Sequence, residues 1–225
     1  MTEYKLLMLK FCPVDVPLGQ NTFLIFTPIL HLFMEQKIKF AENVMLIDAS
    51  YIDQVGNDLK EHFAPLLQRE LPKADLALLL EYLAMDGGLT GTDNEIQVIF
   101  IHDSHVEAFT FCTPSRFATE LHDMAFKGSL GEYSLSSFQT SEMAVRQDLY
   151  KESLQLLCES KDVKRILLVP DEASLGEKVY SLISKEKRPM SVVFGMNPPQ
   201  GDYAVRFEML GFALLQALGV KAEEL

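Results

Sequence analysis

Four acidic residues of this 225-residue chain stand where apolar runs stop or helical patterns begin. Asp48 ends the run Val44–Ile47. Asp148 lies near the start of a long amphipathic pattern. Asp171 and Glu172 follow "RILLVP". Carboxylates gathered at one edge of a sheet hold Mg²⁺ or Mn²⁺ through oxygen ligands, and such an ion activates water and stabilises a phosphoryl transition state. Asp48, Asp148 and Glu172 are therefore the catalytic candidates. Asp48, Asp148, Asp171 and Glu172 are the candidate metal ligands. Each has a plainer reading. Asp48 and Asp171 are good helix N-caps, and acids are favoured in a first helical turn. Asp148 suits a solvated helix face, paired with Lys151 or with Arg146 nearby. His102, Asp103 and His105 suggest a metal or acid–base cluster, but an H-x-x-H loop binds zinc only with further ligands. With His122 and Asp123 they read more simply as surface loop and helix residues.

These side chains are useful only if the chain brings them to one place. Val44–Asp48, 95–103, 163–171 and 190–196 read as strands, with 131–138 as a further alternating one. Residues 51–71, 73–89, 141–160 and 172–187 read as helices, the first bent near Pro65 and the second started by Asp75 and ended by Gly87 and Gly88. Residues 107–113 read as a strand that pairs with its predecessor in a hairpin, and 115–126 and 203–220 as helices. Strands alternating with helices predict an α/β fold, a mainly parallel sheet with helices on both faces. In such a sheet, ligands bind outside the carboxyl ends of the strands.

Composition narrows the function. The formal charge of −12 gives no net positive field to attract phosphates or an anionic membrane. Three cysteines far apart in sequence form no CxxC pair and no disulfide framework, which makes a reducing cytoplasm the expectation. Cys112 and Cys158 read as small core residues. There is no G-x-S-x-G elbow, no P-loop and no dinucleotide fingerprint. The basic clusters Lys161/Lys164/Arg165 and Lys185/Lys187/Arg188 lack interleaved aromatics and read as solvated helix ends. "NTFLIFTPILHLF" (21–33) is too short and too interrupted to span a bilayer, and lacks a cleavage site. Residues 1–33 are expected to be an extension upstream of a start at Met34, or else an apolar segment that packs on the domain, a partner or a membrane. Residues 34–225 are expected to form one domain.

"VMLIDASYI", "VRQDLYKESLQLL", "RILLVPDEASLGEKV" and "MSVVFGM" resemble, in that order, the acidic elements of NYN domains. These belong to the PIN-like superfamily of metal-dependent ribonucleases. The resemblance runs from Val44 to Met196. It implies a three-layer α/β fold with Asp48, Asp148 and Glu172 around one ion. Two departures weaken the set. Tyr51 stands where the family has Asn, and Ser174 where it has a second Asp. The whole pattern also resembles a group of uncharacterised bacterial proteins.

The expectation is a PIN/NYN-like binding or interaction module with an eroded acidic site. The alternative is an Mg²⁺- or Mn²⁺-dependent ribonuclease acting on RNA, and a third reading is a small-molecule binder at the same strand ends. The apolar C-terminal stretch from Phe207 to Leu218 packs on the sheet or forms a homodimer seam.

Overall fold

Val44–Ile47 carries no polar side chain, so a strand built from it must be covered on both faces. In the computed structural model all four residues are buried, at the centre of a seven-stranded sheet. The structure describes residues 39–141, 144–185 and 189–224. The expectations for residues 1–33, Met143, Lys187 and Arg188 lie outside the described residues. From Phe40 onward the chain is one compact unit.

In chain order the elements are β1 (Asn43–Asp48), α1 (Ala49–Leu66), β2 (Ala74–Asp75), α2 (Leu76–Asp86), β3 (Asn94–His102) and β4 (Cys112–Thr113). A π-helical turn (Phe117–Leu121) leads to β5 (Met124–Lys127), β6 (Gly131–Gln139), α3 (Arg146–Glu159) and β7 (Arg165–Val169). Then come α4 (Glu172–Ile183), β8 (Met190–Gly195), β9 (Arg206–Met209), α5 (Leu210–Ala217) and a final 3₁₀ turn (Ala222–Glu224).

The sheet runs β5-β6-β3-β1-β7-β8-β9. Every neighbouring pair is parallel except β5 with β6. The parallel strands, numbered by appearance, lie in the order 3-2-1-4-5-6 of doubly wound sheets. The order reverses at β1, so the crevice between connections opens above its carboxyl end, at Asp48.

Alternation along β1 divides the core. Met45 and Ile47 pack with Ile52 of α1, Leu79 and Leu83 of α2 and Leu214 of α5. Val44 and Leu46 pack with Leu154 and Leu157 of α3 and Leu175 and Val179 of α4. Each such aliphatic side chain taken fully from water contributes roughly 1.5–3 kcal/mol. The three-layer α/β architecture with a mainly parallel sheet is therefore as the sequence pattern predicts. The caps are equally local. Asp48, Asp75 and Asp171 each accept a hydrogen bond from a backbone N–H in the helix they open.

Five expectations need correction. Residues 107–113 form no hairpin with β3; Cys112 and Thr113 form a strand that pairs in parallel with β2, and Ala108 bridges Arg116. The reason lies in α1, where the Asp53 carboxylate accepts the N–H groups of Thr110 and Phe111 and turns the chain away from the sheet. Residues 115–126 are not one helix. The spacing of buried Phe117 and Leu121 supports a single turn, and Asp123 at φ 59° redirects the chain into β5. Residues 203–220 are not one helix either, since Arg206–Met209 pairs with β8 before α5 begins. Helix α1 stops at Leu66 rather than at residue 71, with Pro65 in its last turn. His102 is not a surface residue: it is 5% exposed and its ring stacks on Phe117 with centroids 4.1 Å apart.

Helix α5 packs on the same face as α1 and α2. Of its large apolar side chains, Leu210, Leu214 and Leu215 are buried and Phe212 is exposed.

Candidate functional site

Helix α3 opens with an arginine, Arg146, and its N-cap Val145 makes no side-chain cap. A cation is disfavoured at a helix N-terminus, where the backbone already presents partial positive charge. The fold resolves this by sending the Arg146 side chain to the carboxyl edge of the sheet, among three aspartates. Arg146 Nε donates to Asp48 Oδ2 at 2.9 Å. Its Nη1 donates to Asp103 Oδ2, and Nη2 stands 3.6 Å from Asp171 Oδ2. Asp48 ends β1, Asp103 follows β3 and Asp171 caps α4 after β7. The guanidinium thus joins the ends of the three central strands at the point where strand order reverses.

Asp48 is completely buried, and the Arg146 side chain is 13% exposed. Burial pushes the Asp48 carboxyl up, against the opposing pull of Arg146 and the Tyr51 N–H. Burial works against the Arg146 charge too. Asp48 and Asp103 more than offset it, so the guanidinium holds its proton more tightly than in water. Three carboxylates around one guanidinium leave the group anionic.

The carboxylate oxygens of Asp48, Asp171 and Glu172 already have partners. Asp48 Oδ1 accepts from the Tyr51 N–H at 3.0 Å, and Oδ2 takes Arg146. Asp171 Oδ1 accepts from the Ala173 N–H, and Oδ2 from the Ser174 hydroxyl at 2.7 Å. Glu172 Oε2 accepts from the Tyr51 hydroxyl at 2.7 Å, and Oε1 from the Asn197 N–H at 3.0 Å. Asp148 stands apart from this group: its side chain is 43% exposed and lies 3.4 Å from Lys151 Nζ. These carboxylates therefore do not fit a dication as they stand, since the Arg146 guanidinium occupies the position between Asp48, Asp103 and Asp171. Among the described residues, no group of three or more His, Cys, Asp or Glu is placed to hold a metal ion.

The histidines do not assemble either. His102 Nδ1 stands 3.0 Å from the Asp103 carbonyl oxygen, so that nitrogen carries the proton. Burial pushes the His102 pKa down. His105 is exposed, and His122 Nδ1 is bound at the Ser137 backbone.

Beside the Arg146 cluster lies an open cleft of about 500 Å³ between α1, the start of α4 and the loop after β8. Tyr51 and Glu172 form one wall. Burial and the Glu172 carboxylate raise the Tyr51 phenol far above its ordinary range, so it stays a donor. Gly195 permits this arrangement, because a Cβ there would run into Glu172 Oε1. Tyr180 and Tyr203 both line the cleft and pack on one another, with ring centroids 5.5 Å apart.

Sequence reasoning missed Arg146 as the centre of the site and missed Tyr51 as a partner of Glu172. The signal for Arg146, a cation at the first position of a helix, shows only once the structure starts α3 there, since the pattern read over 141–160 places it in the second turn. Tyr51 carried no such signal.

A family model described as a family of unknown function (DUF6621) matches residues 37–225, and the chain belongs to that family. No curated protein and no solved structure matches it. No helix among the described residues is long and apolar enough to cross a membrane.

Proposed function

We propose that this DUF6621 member is a non-catalytic binding module whose acidic edge serves as a structural clasp. The observation that carries the reading is the Arg146 guanidinium, held by Asp48, Asp103 and Asp171 where a catalytic dication would need to sit. A monocation fixed by hydrogen bonds ties three strand ends together. It offers neither the open coordination positions nor the activated water that metal-assisted hydrolysis requires. The reversal of strand order at β1 and the acids at its edge support a PIN/NYN-like origin. Tyr51 and Ser174 fit its erosion, since both now bind carboxylates that an active member would leave to the metal. Binding then falls to the neighbouring cleft, which has the volume of a small-ligand or side-chain site. We place the module in the cytoplasm, on the absence of a disulfide pattern in the sequence.

The competing reading is an Mg²⁺- or Mn²⁺-dependent ribonuclease. It draws on one observation, the convergence of Asp48, Asp103 and Asp171 at a single edge. Calorimetric titration of Mn²⁺ into the full-length protein, beside an Asp48→Asn variant, separates the two. The expected result is no saturable heat in either protein up to millimolar metal. Saturable binding that Asp48→Asn abolishes would overturn the binding-module reading and call for RNA-cleavage assays.

A further inference from the structure

The carboxylates at this edge fall into two groups with opposite electrostatic fates. Asp48, Asp103 and Asp171 share the Arg146 cation. Glu172 and Glu177, which line the adjacent cleft, form no ion pair among the described residues. Among the described residues Glu172 is bound by neutral donors alone, the Tyr51 hydroxyl and the Asn197 N–H. Such bonds orient a carboxylate without cancelling its charge. The same cleft presents two half-buried tyrosines, Tyr51 and Tyr203, and the buried Tyr180 packs on Tyr203. Aromatic faces attract cations through their quadrupole, and most strongly where water is partly excluded. Among the described residues Lys178 is the one cation on the lining, and it is exposed.

On this basis, and resting on the binding-module reading above, we infer that the cleft is a recognition site for a guanidinium group. A guanidinium suits it better than a compact ammonium. It is planar, stacks on aromatic rings and presents a fork of donors to a carboxylate. Arg146, bound by three carboxylates next door, shows the same pairing chemistry within the chain. The cleft volume of about 500 Å³ admits an arginine side chain with its flanking backbone. An anionic ligand such as a nucleotide would meet the uncompensated charges of Glu172 and Glu177.

The test is an NMR titration of the full-length protein with Nα-acetyl-arginine amide, with the citrulline amide as neutral isostere and AMP as anion. The expected result is saturable shifts confined to Tyr51 and residues 172–180 and 196–203 with the arginine probe. Citrulline should bind about tenfold more weakly, the scale of one charge-assisted hydrogen bond. Glu177→Gln, on an exposed helix position, should weaken arginine binding several-fold without affecting the fold. The same arginine inside a short acetylated peptide separates sources. Added affinity points to a partner chain and none to a free small molecule, and both carry the inference. Equal binding of citrulline, or preferential binding of AMP, would overturn the guanidinium assignment while leaving the binding-module reading intact. Failure of all three probes to shift the cleft would overturn the assignment as well, and the Mn²⁺ titration would then decide the binding-module reading separately.

Discussion

Replacing Arg146 by methionine removes the cation and keeps most of the side-chain volume. What remains is a fully buried Asp48 carboxylate beside two others. Removing one partner of a buried ion pair typically costs about 3–5 kcal/mol, because the other charge is left without compensation. Here Asp103 and Asp171 keep 26% and 20% side-chain exposure, so water takes over part of their loss. The expected cost is therefore near the lower end, about 3 kcal/mol, or roughly 6–12 °C in Tm for a chain of this size. Asp48→Asn should cost less, about 1 kcal/mol, because Asn caps α1 as well as Asp does and Arg146 retains two partners. The double variant should recover at least about 1 kcal/mol relative to Arg146→Met, since the buried charge is gone. The pH dependence has a definite sign. Without Arg146, native Asp48 keeps its proton over a range where the unfolded chain, with a pKa near about 3.9, has released it. The native state then binds more protons, so the stability deficit grows as pH rises from about 4 to about 7. Urea unfolding at several pH values, followed by circular dichroism, measures all four proteins. A loss below about 1 kcal/mol for Arg146→Met, or strict additivity in the double variant, would refute the clasp.

Two further perturbations test the packing and the buried histidine. Gly56 lies inside α1, where alanine would ordinarily stabilise a helix by about 1 kcal/mol. A Cβ at Gly56 would run into the Phe111 ring. Gly56→Ala should therefore be destabilising, by about 1 kcal/mol or more in urea unfolding, and a more stable variant would contradict this packing. Burial lowers the His102 pKa, so below about pH 6.5 the unfolded chain binds a proton that the native state refuses. Wild-type stability should fall as pH drops through that window, and fall less in His102→Gln, as thermal unfolding at pH 7.5 and pH 5.5 would show.

The arrangement at β1 gives the carboxyl edge two adjacent territories. One is closed, with acids and an arginine satisfying one another. The other is open, and its Glu172 is held by neutral groups among the described residues. Glu172 and Asp171 are consecutive in sequence yet belong to different territories. Asp171 points to the cap of α4 and toward Arg146, and Glu172 to Tyr51 and the loop after β8. Residues at this edge are therefore separable by mutation.

The sequence by itself determined what depends on neighbours a few residues away. The buried strand at Val44–Ile47, the alternation of strands with helices and the caps at Asp48, Asp75 and Asp171 all rest on apolar periodicity or on hydrogen bonds spanning two or three residues. Those signals survive in one dimension because the interacting groups are adjacent in it. Tertiary structure alone decided the contents of the site. Arg146 meets Asp48 across 98 positions and Asp103 across 43, and Tyr51 meets Glu172 across 121. It also decided the secondary structure of ambiguous stretches. Arg206–Met209 fits a helical pattern, but the open edge of β8 supplies backbone partners that make it a strand. His102 reads as a surface residue until Phe117 covers it. A carboxylate at a strand tip serves equally as cap, metal ligand or ion-pair partner; the choice among them is made by which distant donor the fold brings to its second oxygen.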